Sequence, residues 1–200
     1  ITALGFTSEG KLAIAHVGDS RAYVINREVQ SPGLEKQKSI ELKRITKDHS
    51  LVEELVQAGE ITEEEANVHP RRSVITRALG IEDSVEVEIT PIDFKLNDRY
   101  LLCSDGLTSM VRDDEILNVL NSFSSPKDCA SELVARANSN GGTDNITVIV
   151  LDVLNAKIEI PEKIKIAQSN SPPVGEIPKA VLNRGRFPFI ARIVLSFLAL

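Results

Sequence analysis

Apolar residues recur along this chain with two periods, every second position and every third or fourth, and the switches between them mark out its elements. Thr2 to Phe6, Lys11 to Val17 and Arg21 to Ile25 are rich in strand formers, and Gly18-Asp19 between the last two is a hairpin signal. Asn26 to Lys38, with Pro32-Gly33 and scattered charge, reads as a surface loop, and Ile40 to Ile45 as a short strand. Ser84 to Thr90 alternates strictly, so Val85, Val87 and Ile89 are expected on a buried face of an antiparallel sheet. Tyr100 to Cys103 is apolar throughout, as in a strand covered on both faces, and Ile146 to Leu151 gives a further strand.

The longer period predicts helices. Ser50-Leu-Val-Glu53 and Thr62-Glu-Glu-Glu65 both match the capping box, in which hydroxyl and acid satisfy each other's orphan backbone donors. The first of these helices runs to Gly59 with Leu51, Val52, Leu55 and Val56 on one face. Asp113 is expected to cap a helix bearing Ile116, Leu117, Leu120 and Phe123. Ser125-Pro126 opens another, bearing Ala130, Leu133, Val134 and Ala137 and stopping at Gly141-Gly142. Both stripes must cover a sheet, so the class is α+β, antiparallel sheets with covering helices.

Composition narrows the setting. Two hundred residues at 42% hydrophobic suffice for one domain with a sizeable core. Two cysteines, Cys103 in the apolar strand and Cys129 on a helix, are too few for a disulfide scaffold and point to a reducing compartment. The net charge of −6 is uneven: Lys157 to Leu200 carries +4 and the rest −10. An acidic body excludes nucleic acid as a partner.

Candidate chemistry gathers where apolar runs end in acids. Asp105 follows the Tyr100 strand, with Gly106 expected to let the backbone turn sharply after it. Asp144, in Asn140-Gly141-Gly142-Thr143-Asp144-Asn145, stands at the start of the next strand. Two carboxylates on rigid strand ends can share a hard cation, although each acid taken singly also reads as ordinary turn chemistry. Asp19 is a turn residue first. Ile61 to Arg77 packs acids and then His69, Arg71, Arg72 and Arg77 beside few large apolar residues, and is expected to be mobile; a solvated loop is the plain reading. His16, His49 and His69 lack the paired spacing of a metal site and read as structural.

Four stretches, in order, carry a resemblance: His16-Val-Gly-Asp-Ser-Arg-Ala-Tyr23, His69-Pro-Arg-Arg-Ser-Val-Ile-Thr-Arg-Ala-Leu-Gly80, Leu102-Cys-Ser-Asp-Gly-Leu107 and Gly141-Gly-Thr-Asp-Asn-Ile-Thr147. Together they resemble the metal-dependent protein phosphatases of the protein phosphatase 2C class, bacterial branch, from the start of the chain to about Val153. The resemblance implies a four-layer αββα sandwich and removal of phosphate from serine and threonine residues of proteins by a water held on Mn2+ or Mg2+. It implies Asp105 and Asp144 as ligands of one ion and Asp19 with Asp105 as ligands of a weaker one. His69, Arg71, Arg72 and Arg77 would lie on a flap shaping substrate access. Arg21 is read as a structural ion-pair partner.

The family's opening portion, with a bridging Asp-Gly acid and a phosphate-binding Arg, has no counterpart here, so this stretch alone is expected to be inactive. Other readings are a non-catalytic regulatory domain binding phosphorylated or metal partners, and a purely structural, membrane-tethered sandwich. The phosphatase part is assigned to residues 1–154, a Pro-containing linker to 155–186 and the start of a transmembrane helix to 187–200. Arg184, Arg186 and Arg192 precede the apolar end Ile193 to Leu200, the pattern of a cytoplasmic domain anchored by a C-terminal helix; a sticky terminus is the alternative. The partners implied are phosphorylated proteins, substrates of a serine/threonine kinase.

Overall fold

The computed structural model describes residues 1–6, 11–27 and 40–154. In chain order the elements are β1 (Thr2–Phe6), β2 (Leu12–His16), β3 (Arg21–Asn26), β4 (Lys43–Arg44), α1 (Leu51–Gln57), α2 (Glu63–Val68), β5 (Glu88–Ile92), β6 (Asp98–Cys103), α3 (Asp105–Thr108), α4 (Asp113–Ser122), α5 (Pro126–Ser139) and β7 (Val148–Asp152). The strands form two antiparallel sheets, one in the order β1-β2-β5 and the other β4-β3-β6-β7. Most of the Asn26 to Lys38 loop, from residue 28 on, and the segments 155–186 and 187–200, read above as linker and apolar end, lie outside the described residues.

The sheets pack face to face through Leu4, Ile14 and Ile92 on one side and Ala22, Leu102 and Ile149 on the other. The opposite face of β3, β6 and β7 carries Tyr23, Ile25, Leu101 and Cys103 onto Ile116, Val119 and Leu120 of α4 and Cys129, Leu133 and Ala137 of α5. This is the expected α+β arrangement of two antiparallel sheets with helices. β6 therefore lies between two strands and two apolar layers, and all six of its residues are buried. Burying a large apolar side chain such as Leu101 or Leu102 contributes about 1.5–3 kcal/mol.

Even the arginine of β6 is fully buried. Arg99 donates from Nε and Nη2 to Asp152 on β7 at 2.6 and 2.8 Å, and to the carbonyls of Leu120, Phe123 and Ser124 at the end of α4 at 2.7, 2.6 and 2.9 Å. A buried cation is tolerable when a carboxylate and the negative end of a helix both meet it. Burial raises the pKa of Asp152, but the bonds and charge of Arg99, with Arg27 behind them, outweigh it and hold the carboxyl below its ordinary range.

Several sequence expectations are corrected. Gly18-Asp19 does not close a hairpin: β2 and β3 belong to different sheets, so the chain crosses between layers there. The strand expected at Ser84–Thr90 is Glu88–Ile92, and Val87 and Ile89 face outward, 45% and 53% exposed, while Glu88, Thr90 and Ile92 turn inward. Alternation gives the period of a strand but not which face is covered. Ile89 pairs across β2 with Ala15 and then Ala3, and Pro91 with Ala13 and then Gly5, so this outward face is small and uncharged.

Of the two capping boxes, Thr62–Glu65 is complete. At Ser50 only the hydroxyl half forms, because the Glu53 carboxylate reaches Arg44. Asp113 is the first helical residue rather than the cap, and its Oδ1 accepts from the Tyr23 hydroxyl at 3.4 Å.

Candidate functional site

The end of β6 and the turn before β7 are stapled by one side chain. Ser104 Oγ donates to the Asn145 carbonyl at 2.9 Å and accepts the Thr147 N–H at 3.0 Å, while the Ser104 N–H donates to the Thr147 carbonyl at 3.0 Å. Asp105 follows as the first residue of α3, half-buried. Gly106 makes no sharp turn, contrary to expectation, since it lies inside that helix. It is needed for close approach: a Cβ there would run into the backbone carbonyl of Asn145. The backbone of the Asp144-Asn145 turn thus rests on Gly106, which sets Asp144 beside Asp105. Asp144 precedes β7 by a turn rather than opening the strand, is exposed, and accepts the Asn145 N–H at 2.7 Å.

Asp19 comes to the same rim from the crossing between the sheets. The Asp105 carboxyl is pushed above its ordinary range by burial first, then by the charges of Asp19 and Asp144, with the amides of Gly106 and Asp105 opposing. Carboxylates are of the donor type that Mg2+ and Mn2+ take, and a bound cation would relieve the repulsion that Asp19 and Asp144 exert on Asp105. The donors fit a hard divalent ion in chemistry. By themselves they do not complete a site: among the described residues no group of three or more His, Cys, Asp or Glu converges closely enough to hold a metal ion.

Arg21 is an ion-pair partner as expected, binding Asp48 at 2.7 Å, and Arg44 joins the same carboxylate at 2.9 Å. Cys103 is inert, its thiol pushed up to about 12 chiefly by burial. Among the described residues no ion pair joins the basic residues to Asp19, Asp105 or Asp144. His69 Nδ1 accepts the Arg71 N–H at 3.1 Å; Arg71 and Arg72 are exposed, Arg77 is half-buried, and none of these three arginines enters an ion pair among the described residues. The foot of their segment is tied down, with the Leu51 N–H donating to Val74 and the Thr76 N–H to His49, both at 2.9 Å. Sequence reasoning named the three acids but missed the Ser104 staple, whose partners are distant in sequence and leave no local signal.

Two sheets packed face to face, with carboxylates collected where strands end, define a class of domain that presents acids at the rim of a sandwich. The chain belongs to the protein phosphatase 2C family, whose model matches residues 2–146. It is 41% identical over 145 residues to the serine/threonine phosphatase Stp of Listeria monocytogenes, covering 72% of this chain and 53% of that protein. Its fold is similar to the crystal structure of the Mycobacterium tuberculosis serine/threonine phosphatase PstP, with TM-score 0.66 and 40% identity over 77% of this chain and 59% of that one. A structure of the PstP catalytic domain in complex with two manganese ions is likewise similar, with TM-score 0.63 and 38% identity, over 77% of this chain and 58% of that one. The chain spans about half the length of the Listeria protein.

Proposed function

We propose that a protein carrying this domain whole hydrolyses the phosphate esters of phosphoserine and phosphothreonine in proteins, with water as the nucleophile. The observation that carries this reading is the meeting of Asp19, Asp105 and Asp144 at one rim, inside the stretch that matches the family. Asp105 and Asp144 would hold one Mn2+ or Mg2+ and Asp19 with Asp105 another. Such ions, when bound, supply an acidified water and counter-charge for phosphoryl oxygens.

The chain's own residues do the positioning. Ser104 and Gly106 fix the spacing of Asp105 and Asp144 through backbone contacts. Arg71, Arg72 and Arg77, with His69, form a basic segment whose guanidinium groups suit a phosphate dianion or an acidic stretch around it. The substrates on this reading are phosphorylated proteins made by a serine/threonine kinase. Arg184, Arg186 and Arg192 ahead of the apolar end support membrane attachment with the domain on the cytoplasmic side. Among the described residues no helix is long and apolar enough to cross a membrane.

The test is phosphate release from a phosphopeptide by the complete protein in millimolar Mn2+, with and without Asp105→Ala. Metal-dependent turnover abolished by the substitution is expected. Turnover that survives it would remove Asp105 from the reaction. Recovery of the full-length protein wholly in the soluble fraction would sink the anchor.

A further inference from the structure

Gly18 stands at the crossing between the sheets with φ +109°, a conformation that side chains rarely adopt. A Cβ there would meet only the Ile1 nitrogen, at 3.6 Å, so the glycine serves backbone angle rather than space. A turn of this kind persists only when its surroundings hold it. One residue does so. The His49 N–H donates to the Gly18 carbonyl at 2.8 Å, and His49 Nδ1 accepts the Gly18 N–H at 3.2 Å. Both polar backbone groups of Gly18 therefore end on His49.

The second bond also fixes the tautomer. With Nδ1 accepting, the ring proton of neutral His49 lies on Nε2, which points at Glu88 Oε2 on β5 at 3.4 Å. The ring is buried against His16, with centroids 4.8 Å apart. The His49 carbonyl accepts the Thr76 N–H at the foot of the arginine-bearing segment. One residue thus joins the turn that presents Asp19 to the base of the segment that carries Arg71, Arg72 and Arg77.

We propose that His49 is a positioning residue for Asp19: by holding Gly18 at both its N–H and its carbonyl, it sets how the Asp19 carboxylate faces Asp105. This rests on the reading of Asp19 as a metal ligand. It goes beyond the structural role that histidine spacing gave His49, because a ring nitrogen and not only the bulk of the ring is required.

Two amides separate those roles. The Oδ1 of Asn can replace Nδ1 as acceptor, whereas the longer Gln presents its amide near the position of Nε2 and leaves the Gly18 N–H unmet. The complete protein and its His49→Asn, His49→Gln, His49→Ala and Asp19→Asn variants would be titrated with Mn2+ by calorimetry. The Gly18 amide would be followed by NMR in the metal-free proteins, since Mn2+ broadens nearby signals. His49→Asn should keep the Gly18 shift and the weakest Mn2+ step. His49→Gln and His49→Ala should move the amide upfield and weaken that step about 10-fold, the lower end of what orienting groups contribute.

Equal loss in His49→Asn and His49→Gln, or unchanged Mn2+ binding in His49→Ala while Asp19→Asn weakens it, would overturn the proposal and leave His49 a packing residue. Unchanged Mn2+ binding in Asp19→Asn would overturn the ligand reading of Asp19 itself, and the proposal with it.

Discussion

The two sheets of this domain are finished to different degrees. The sheet built on β3, β6 and β7 is covered on both faces, by the other sheet and by α4 and α5, and it hides even the guanidinium of Arg99. Among the described residues the sheet of β1, β2 and β5 is covered on one face; its other face shows Ile89, Pro91 and a patch of alanine and glycine. The three acids of the proposed site straddle that difference. Asp105 and Asp144 are mounted on the finished sheet, whereas Asp19 hangs on the crossing between the two.

The largest loss is expected at Arg99. Arg99→Ala strands the Leu120, Phe123 and Ser124 carbonyls and half of the Asp152 carboxylate, and is expected to cost about 3–5 kcal/mol, read by urea denaturation. A loss below 1 kcal/mol would mean that the helix layer is held by its apolar contacts alone.

Gly106→Ala forces the Asn145 backbone away and should cost about 1–3 kcal/mol, as overpacking does, while separating Asp144 from Asp105. Mn2+ binding measured by calorimetry should weaken with it. A stable variant with unchanged binding would show that the two turns need not touch.

A smaller effect, of opposite sign, is expected at Asp105. Its pKa is raised in the folded state, so folded protein binds the proton more tightly than unfolded protein. The destabilisation is absent below the unfolded value, develops as pH rises between the unfolded and folded values, and persists above. Asp105→Asn should therefore raise the Tm of the metal-free chain at neutral pH and remove that pH dependence, read by thermal unfolding at several pH values. A lower Tm would show that hydrogen bonds to the carboxylate outweigh the repulsion. The paired acid on the finished sheet behaves oppositely: Asp152, with its pKa lowered, gives stability above the unfolded value that is lost as pH falls through the folded one.

The smallest effect is expected on the open face. Ile89→Thr should change the stability of this chain by less than about 0.5 kcal/mol, as surface substitutions do. A loss of several times that would reveal a cover over β5.

How far the sequence could be read follows the same division. The β6 strand, the acids at its end and beside β7, the Thr62 cap and the Ser125-Pro126 helix start were legible because each is written in neighbouring residues. The crossing at Gly18 was not, since a glycine-acid pair between strands serves a hairpin and a change of sheet equally well. Nor was the inversion at Val87 and Ile89, because apolar residues mark a strand without saying which face is covered. Arg99 with Asp152 and Gly18 with His49 are long-range pairs, and no local pattern announces them.

The register of the central sheet also dictates an order of events. Arg21 aligns with Cys103 and Asn26 with Asp98, so β3 must wait for a partner far along the chain, whereas α4 and α5 follow one another directly. Short-range helices form within about a microsecond, but domains dominated by distant strand pairings take about milliseconds to seconds. The helical pair would thus assemble first, with the carbonyls of Leu120, Phe123 and Ser124 still in water. Arrival of Arg99 on β6 would then act as a late check that the strand has entered in the right register, since a slip by one residue points the guanidinium into the opposite layer.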